Sequence, residues 1–587
     1  MGGMTTVVIV GGVAGGMSAA TRLRRLDEDV TIVVLERSGH VSFANCGLPY
    51  HLGGVIEHRS SLLLQTPQSL AARFGIDVRV RHEVRSIDRE GKRVEVRDLA
   101  TDETAWIAYD ALVLSPGARP VVPPLPGIEV AHTLRDVEDL DHLVGSSSGA
   151  SSALVVGGGF IGLELAENFV ERGVAVTLVE AGEQVMAPFD PEMIEPVHAA
   201  MRSAGVELVL GASATRIDPG PLRTRSSGDG GVVTEVGEPV VHLSDGREVQ
   251  AGVVVAAIGV RPEQVLARQA GLAVGELGGI LVDDQLRTSD PDIYAIGDAV
   301  EKRDALDGSP VLVPLANTAN RQGRVVADVI SGRPGADRPV RGTAIVSAFG
   351  LDAAVVGWNE RRLRTTGRPH RVIHLHPGSH AAYYPGAQPI ALKLLVDPGT
   401  DEILGAQAVG RDGVDKRIDV IATAMAGGLR AGDLADLELA YAPQFGSAKD
   451  PVNMAGWVAR NLAEGLVDTV QWHELANALA AGATLLDVRD PAEHEARPIP
   501  GAINVPVNEL RDRLDELPAG DLVVHCEVGL RGYLATRVLA EHGRSARNLD
   551  GGYRTWAAGV ASTRAASPSS VRSSPNSHAP SADHALP

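Results

Sequence analysis

The 587 residues include only two cysteines, Cys46 and Cys526, and that scarcity excludes a fold held by disulfides, which are short and cysteine-dense. Basic residues are in deficit: 54 Lys and Arg against 74 Asp and Glu give a formal charge of −20, which argues against binding a phosphate backbone, so no nucleic-acid partner is expected. Small anionic ligands stay admissible, because helix N-termini and a few arginines decide those. Long hydrophobic runs are missing too. The longest uncharged apolar stretch, Thr5 to Thr21, is broken by glycines and has no basic leader, so it reads as neither a membrane span nor a signal peptide. No metal ligation is expected. The expected compartment is the cytoplasm, where thiols stay reduced. Aromatics contribute 3%, against 44% hydrophobic residues and 66 glycines, a balance that suits α/β architecture, and the length calls for several domains.

What is present begins with an internal repeat. Val7-Val8-Ile9-Val10-Gly11-Gly12 through Val33-Val34-Leu35-Glu36 reads as strand, glycine turn, helix and a second strand ending in an acid. Ala153-Leu154-Val155-Val156-Gly157-Gly158-Gly159 through Thr177-Leu178-Val179-Glu180 repeats it. In each copy the acid follows at the remove of roughly 20 residues that a dinucleotide-binding unit requires. Glycines let the backbone approach a pyrophosphate at the positive helix N-terminus, and Glu36 and Glu180 would bind ribose hydroxyls.

Two apolar runs ending in glycine, Ala111 to Gly117 and Val253 to Gly259, suit crossings between the two nucleotide domains. Ile293-Tyr294-Ala295-Ile296-Gly297-Asp298 is a further buried strand, whose acid could reach a ribityl hydroxyl. Thr224 to Glu238 reads as an exposed hairpin. From about 340 to 455 the pattern turns to alternating strands and two amphipathic stretches, as in an interface domain. A separate module begins near 470, and the Ser-, Ala- and Pro-rich tail from 563 cannot bury enough apolar surface to order itself.

Two dinucleotide folds, the Ile-Tyr-Ala-Ile-Gly-Asp strand and a cysteine just beyond the first βαβ unit resemble the flavin- and pyridine-nucleotide-dependent disulfide reductases. Most members carry a second cysteine close by. Cys46 has none, which selects the single-cysteine branch. Peroxidases and oxidases there usually place a histidine in the first glycine loop, where this chain has Val13-Ala14-Gly15-Gly16. The stretch Ser42-Phe43-Ala44-Asn45-Cys46-Gly47-Leu48-Pro49-Tyr50, with Tyr383-Tyr384-Pro385-Gly386, Tyr441-Ala442-Pro443 and Lys449-Asp450, is similar to coenzyme A-disulfide reductase. The resemblance implies FAD on Gly11, Gly12, Gly15, Gly16, Glu36, Arg37, Asp298 and Ala316. It implies NADH, in preference to NADPH, on Gly157, Gly159, Gly162, Glu180 and Gly259. Coenzyme A contacts fall on Ser18, Arg22, Arg25, Ser42, Asn45, His380, Lys449 and Trp457; Arg22 and Arg25, three apart on one helix, can share a face as a phosphate clamp.

The module from about 470 resembles a rhodanese domain in Asp487-Val488-Arg489, the Gly501 to Pro506 segment, the loop His525-Cys526-Glu527-Val528-Gly529-Leu530-Arg531-Gly532 and Leu549-Asp550-Gly551-Gly552. The loop N–H groups and the Arg531 guanidinium would hold a thiolate or persulfide anion. Glu527 stands where many members place other residues, which leaves the sulfur acceptor open.

The expected fold class is α/β: an FAD domain over 1–120 and 280–335, an NAD domain over 121–279, both Rossmann-like, an α+β dimerisation domain over 338–456, a rhodanese domain over 470–562, and a disordered tail over 563–587. The expected reaction is reduction of a coenzyme A persulfide, polysulfide or disulfide through Cys46. A helix starting near Cys46, with the flavin, should favour its thiolate, and Tyr441, assisted by Tyr384, should protonate the departing sulfur across a homodimer interface. Cys526 would carry sulfane sulfur. Two other readings stay open: an NADH oxidase or peroxidase cycling Cys46 through sulfenic acid, and a non-catalytic redox sensor holding coenzyme A on Cys46.

Overall fold

A computed structural model describes residues 5–220, 222–226 and 232–565. Its first sheet is parallel, in the order Ile293–Ala295, Ala111–Leu114, Thr6–Val10, Thr31–Glu36, Asp77–Val80. Val7, Val8 and Ile9 are wholly buried, as a strand covered on both faces requires. The helix Ala14–Leu26 leaves the first glycine loop and packs on Ala316–Ile330, so two segments three hundred residues apart share one core. Gly323 makes that approach possible: a Cβ there would fall 2.5 Å from the Gly15 carbonyl oxygen.

The second sheet repeats the plan, with parallel strands ordered Glu207–Leu210, Ala175–Glu180, Ser152–Val156, Val253–Ala256. After the two glycine-ended runs the chain crosses between the sheets as Ala118–Pro120 and Val260–Pro262, which pair with each other antiparallel. Leu222–Ser226 and Val232–Val236 form an antiparallel hairpin, two residues ahead of the expected start; its connecting residues lie outside those described.

A five-stranded antiparallel sheet follows, ordered Ala344–Ala348, Leu351–Gly357, Ile403–Gly410, Ile390–Val396, Arg371–Leu375, and it buries the apolar faces of helices Val414–Gly427 and Pro451–Ala463. The last sheet is parallel, ordered Asp468–Val470, Ala546–Leu549, Leu522–His525, Thr484–Asp487, Ile503–Asn504. Two Rossmann-like units, an α+β domain and a rhodanese fold are thus joined in one chain. The final helix, Gly552–Ala565, runs on past 562, so residues 563–565 are helical and not tail; the rest of the tail lies outside the described residues.

These units are welded by buried charge. Lys393, fully buried, donates to Glu192, Glu360 and, at 2.8 Å, Asp190. Burial alone would neutralise it, but the surrounding carboxylates hold its ammonium well above the ordinary lysine range. His374 on the neighbouring strand completes the junction. Its backbone N–H and Nδ1–H donate to Asp550 of the rhodanese unit at 2.9 and 2.8 Å, and Nε2–H donates to Glu192 at 3.1 Å. Burial pulls His374 down, yet the Asp550 and Glu192 hydrogen bonds outweigh it and push it up to about 9, so the ring is an imidazolium at neutral pH. The three carboxylates converge closely enough for a metal ion, but the Lys393 ammonium is the cation they are bound to.

Candidate functional site

The first glycine loop is shaped by backbone crowding. Gly11 has φ +101°, and a Cβ on it would lie 2.1 Å from the Ser115 carbonyl oxygen, so no other residue fits. Gly157 occupies the same place in the second loop, at φ +111°. The terminal acids are fixed alike. Glu36 accepts from the N–H groups of Gly12 and Ser38 at 2.7 and 2.8 Å, and Glu180 from those of Gly158 and Gly182, both at 2.7 Å. Each carboxylate thus spans its own loop with lone pairs to spare for a ribose hydroxyl.

Asp298 fits a bound flavin nucleotide for a different reason. Its Oδ1 is buried without a hydrogen-bond partner, and burial raises its pKa while Lys302 opposes the rise. A buried carboxylate oxygen left unpaired is costly, and a ligand hydroxyl would relieve it. Ala316 opens the 15-residue helix beside it, Gly259 lies at φ +107° just before the second crossing, and Arg37 is exposed next to Glu36.

Cys46 lies in a short 3₁₀ turn, Asn45–Gly47, tied to the first glycine loop because Ser42 N–H donates to the Gly12 carbonyl at 2.8 Å. Ser42 itself is held at φ +49°, a conformation uncommon outside glycine, Asn and Asp. Asn45 Oδ1 accepts from the thiol at 3.8 Å. Here the structure corrects an expectation. The helix expected near Cys46 does begin just after it, at Leu48, but Leu48–Leu52 is only five residues long, so its dipole favours the thiolate little. Although the residue is exposed, the partly enclosed thiol is pushed up by desolvation and then by the carboxylates of Glu164 and Asp298. Glu164 escaped the sequence reading. It sits just past the first turn of the helix Phe160–Glu171, accepts from Tyr50 Oη at 3.4 Å, and is raised by burial to about 7. The only signal for it was an acid among the apolar residues that open this helix.

Of the two arginines expected to clamp a phosphate, Arg22 is already committed: Nε and Nη2 both donate to Asp328, at 3.0 and 2.7 Å. Arg25 alone is exposed. Ser18 Oγ donates to Asn320 at 2.7 Å, and Lys449 and Trp457 lie on the surface. The tyrosines also pair differently from the expectation. Tyr441 shares a 2.8 Å hydrogen bond with Tyr383, both exposed, whereas Tyr384 sets its ring edge-on to the buried His380, 5.7 Å between centroids. Among the described residues neither paired hydroxyl bonds Cys46 of its own chain.

Cys526 follows the buried strand Leu522–His525, and Gly529 N–H donates to its sulfur at 3.2 Å, which supports the loop-cradle half of the expectation. The arginine half holds by charge and not by contact: Arg531 forks onto Glu493 with two bonds of 2.7 Å, which with the nearby Cys526 thiolate hold its guanidinium charge firmly, while no hydrogen bond joins it to the sulfur. His525, next to the cysteine, is wholly buried with both ring nitrogens unpartnered, and burial pushes it down to about 4 despite Asp487 nearby, so it is neutral.

Two glycine-loop nucleotide folds serving one exposed thiol, followed by a cradled second thiol, are the parts of a dinucleotide-dependent oxidoreductase that handles sulfur. The chain belongs to the pyridine nucleotide-disulphide oxidoreductase family, whose model matches residues 5–323, with the family's dimerisation domain at 343–451 and a rhodanese-like domain at 471–559. It is 33% identical to the coenzyme A disulfide reductase of Staphylococcus haemolyticus over 463 residues, 78% of this chain and 100% of that protein. The solved structure of reduced Bacillus anthracis CoADR-RHD superposes with TM-score 0.90 at 46% identity, covering 95% of this chain and 99% of that one. An NAD-dependent persulfide reductase from A. fulgidus superposes with TM-score 0.86 at 36% identity, over 94% of this chain and 100% of that one. Among the described residues no helix is long and apolar enough to cross a membrane.

Proposed function

We propose that this chain is a flavin-dependent NAD(P)H oxidoreductase that reduces a coenzyme A persulfide, polysulfide or disulfide through Cys46, with Cys526 carrying sulfane sulfur in the rhodanese unit. The observation that carries it is the pairing within one welded chain of an exposed thiol beside a nucleotide-binding loop and a second thiol that accepts from the N–H of its own loop. The similar proteins named above point to the same substrates.

FAD on the first glycine loop supplies two-electron transfer between nicotinamide and sulfur. The chain's own residues do the rest. The Cys46 thiolate attacks the thiol-bearing sulfur of the persulfide, a mixed disulfide forms and hydrosulfide leaves; two electrons then cleave that disulfide, restoring Cys46 and releasing the substrate thiolate. Tyr441, exposed and hydrogen-bonded to Tyr383, donates the proton from a second copy of the chain, assisted by Tyr384, whose ring rests on His380, so the working unit is a homodimer. Arg25, Lys449 and Trp457 offer exposed groups to the coenzyme A nucleotide, Asn45 touches the Cys46 thiol, and Ser18 and Ser42 complete the coenzyme A contacts. Glu180 favours NADH, since a carboxylate accepts from a 2′-hydroxyl and repels a 2′-phosphate. A reducing compartment such as the cytoplasm suits two free thiols.

The deciding experiment is anaerobic NADH consumption by the flavoprotein with coenzyme A persulfide, coenzyme A disulfide and hydrogen peroxide offered separately. Preference for the persulfide with hydrogen sulfide released is expected. Preference for peroxide would replace this reading with sulfenic-acid chemistry, and stoichiometric modification without turnover would make the protein a sensor.

A further inference from the structure

Four arginines surround the Cys526 loop, and each is matched by a carboxylate of the same unit. Glu527, the residue after the cysteine, is bound to three of them: Oε1 accepts from Arg497 Nη2 and from Arg554 Nε, each at 3.2 Å, and Arg489 Nη1 lies 3.4 Å from Oε2. Its side chain is 12% exposed. Arg489 also donates to Asp487 at 2.7 Å, and Arg531 is forked onto Glu493 with Asp490 at 3.6 Å. Tyr553 holds two of the forks in place, its ring centroid 4.8 Å from the Arg489 guanidinium and 5.3 Å from that of Arg497. The first turn of the helix Gly552–Ala565 brings Arg554 to the loop, because Tyr553 N–H donates to the Cys526 carbonyl at 2.8 Å and Arg554 N–H to that of Glu527 at 3.1 Å. Four guanidiniums therefore face four carboxylates, Asp487, Asp490, Glu493 and Glu527, so the charged side chains around the loop cancel and the backbone N–H groups are left to attract an anion.

We infer that Glu527 sets the donor specificity of the sulfurtransferase site: by bridging three guanidiniums beside Cys526 and supplying the negative charge that completes the balance there, it excludes dianionic sulfane-sulfur donors such as thiosulfate and leaves the site to organic persulfides. The inference rests on the reading of Cys526 as a sulfur carrier. With either donor the Cys526 thiolate attacks the outer sulfur. A persulfide R–S–SH gives Cys526–S–SH and RS⁻. Thiosulfate gives Cys526–S–S⁻ and sulfite, and cyanide discharges the enzyme persulfide to thiocyanate and the free thiolate. A dianion must shed its hydration to reach the sulfur, and at a site of balanced charge no Coulombic attraction compensates. An organic persulfide can react as the neutral R–S–SH and carries no such burden.

The test is thiocyanate formation by the full-length holoenzyme without NADH, with thiosulfate or hydroxyethyl persulfide as donor, counted above the rate of the Cys526→Ser protein. For the wild type kcat/KM should favour the persulfide by about ten-fold or more. Glu527→Gln keeps the shape and removes the charge; it should raise kcat/KM for thiosulfate by about ten-fold or more, a gain that shrinks as salt is added, while the persulfide changes by less than about two-fold. A wild type that uses both donors equally overturns the inference and leaves Cys526 a sulfur carrier. So does a variant that gains nothing for thiosulfate, or loses both donors equally. Should the variant fail to fold, the wild-type ratio decides alone. Thiocyanate from neither donor overturns the sulfur-carrier reading, and this inference with it.

Discussion

Raising the pH should loosen the rhodanese unit from the rest of the chain through one residue, His374. In the docked state its imidazolium donates to Asp550 on the rhodanese side and Glu192 on the nucleotide-domain side, and it is held up to about 9 against an ordinary value of 6.5. A group whose pKa is raised on docking stabilises the docked state fully below the lower value, and that stabilisation is lost as pH climbs through the upper one. The difference is worth about 3 kcal/mol, a large part of the stability of an ordinary domain. The loss should therefore run from about pH 6.5 to about pH 9. Of the neighbouring groups, His376, pushed down to about 3, stays neutral throughout, and Lys393 stays charged, whereas His370, raised chiefly by its hydrogen bond to Glu360, titrates above its ordinary value too and is separated by the Asp550→Asn comparison. Lys302, pulled down to about 8 by burial, does titrate there, but its ammonium donates to Gly297 and Val313 within the first nucleotide fold, so a local readout separates it. The assay is hydrogen exchange over 546–565, corrected for the intrinsic pH dependence of the exchange rate, with limited proteolysis alongside. Wild-type protection should fall across the window, and Asp550→Asn, which removes the charge facing the ring, should start lower and vary less. Equal protection at both ends of the window, or an identical pH profile in Asp550→Asn, would refute the argument.

Lys393→Met should destabilise the chain by about 3–5 kcal/mol, because it strands three buried carboxylates without their cation; a thermal unfolding midpoint no lower than that of a surface Arg97→Met control would contradict this. Glu164→Gln should lower the pH midpoint of Cys46 alkylation, since it removes the carboxylate that most opposes the thiolate; an unmoved midpoint would clear Glu164 of that role. Replacing Glu180 by Ala should reduce the ratio of NADH to NADPH turnover, and unchanged discrimination would end its assignment. Cys526→Ser should abolish turnover of polysulfide while coenzyme A persulfide is still reduced; intact polysulfide turnover with coenzyme A present would sink the relay between the two thiols.

The sequence alone determined whatever depends on neighbours along the chain. Gly11, Gly157 and the acids that answer them are legible because a backbone turn within van der Waals reach of another carbonyl admits one residue type, and because a strand, a turn and a helix take a fixed number of residues. The loops around Cys46 and Cys526 were legible for the same local reason. Only the tertiary structure decided which charges meet. Arg22 bonds Asp328, which lies 306 residues away, Arg531 bonds Glu493, Tyr441 meets Tyr383 and not its neighbour, and His374 meets Asp550 across 176 residues. No spacing along the chain encodes such partners. They follow from how segments distant along the chain pack, within the rhodanese unit for Arg531 and Glu493 and between units for His374 and Asp550, and packing is also what brings Glu164 and Asp298 near Cys46 and pairs Glu527 with the arginines of the rhodanese loop.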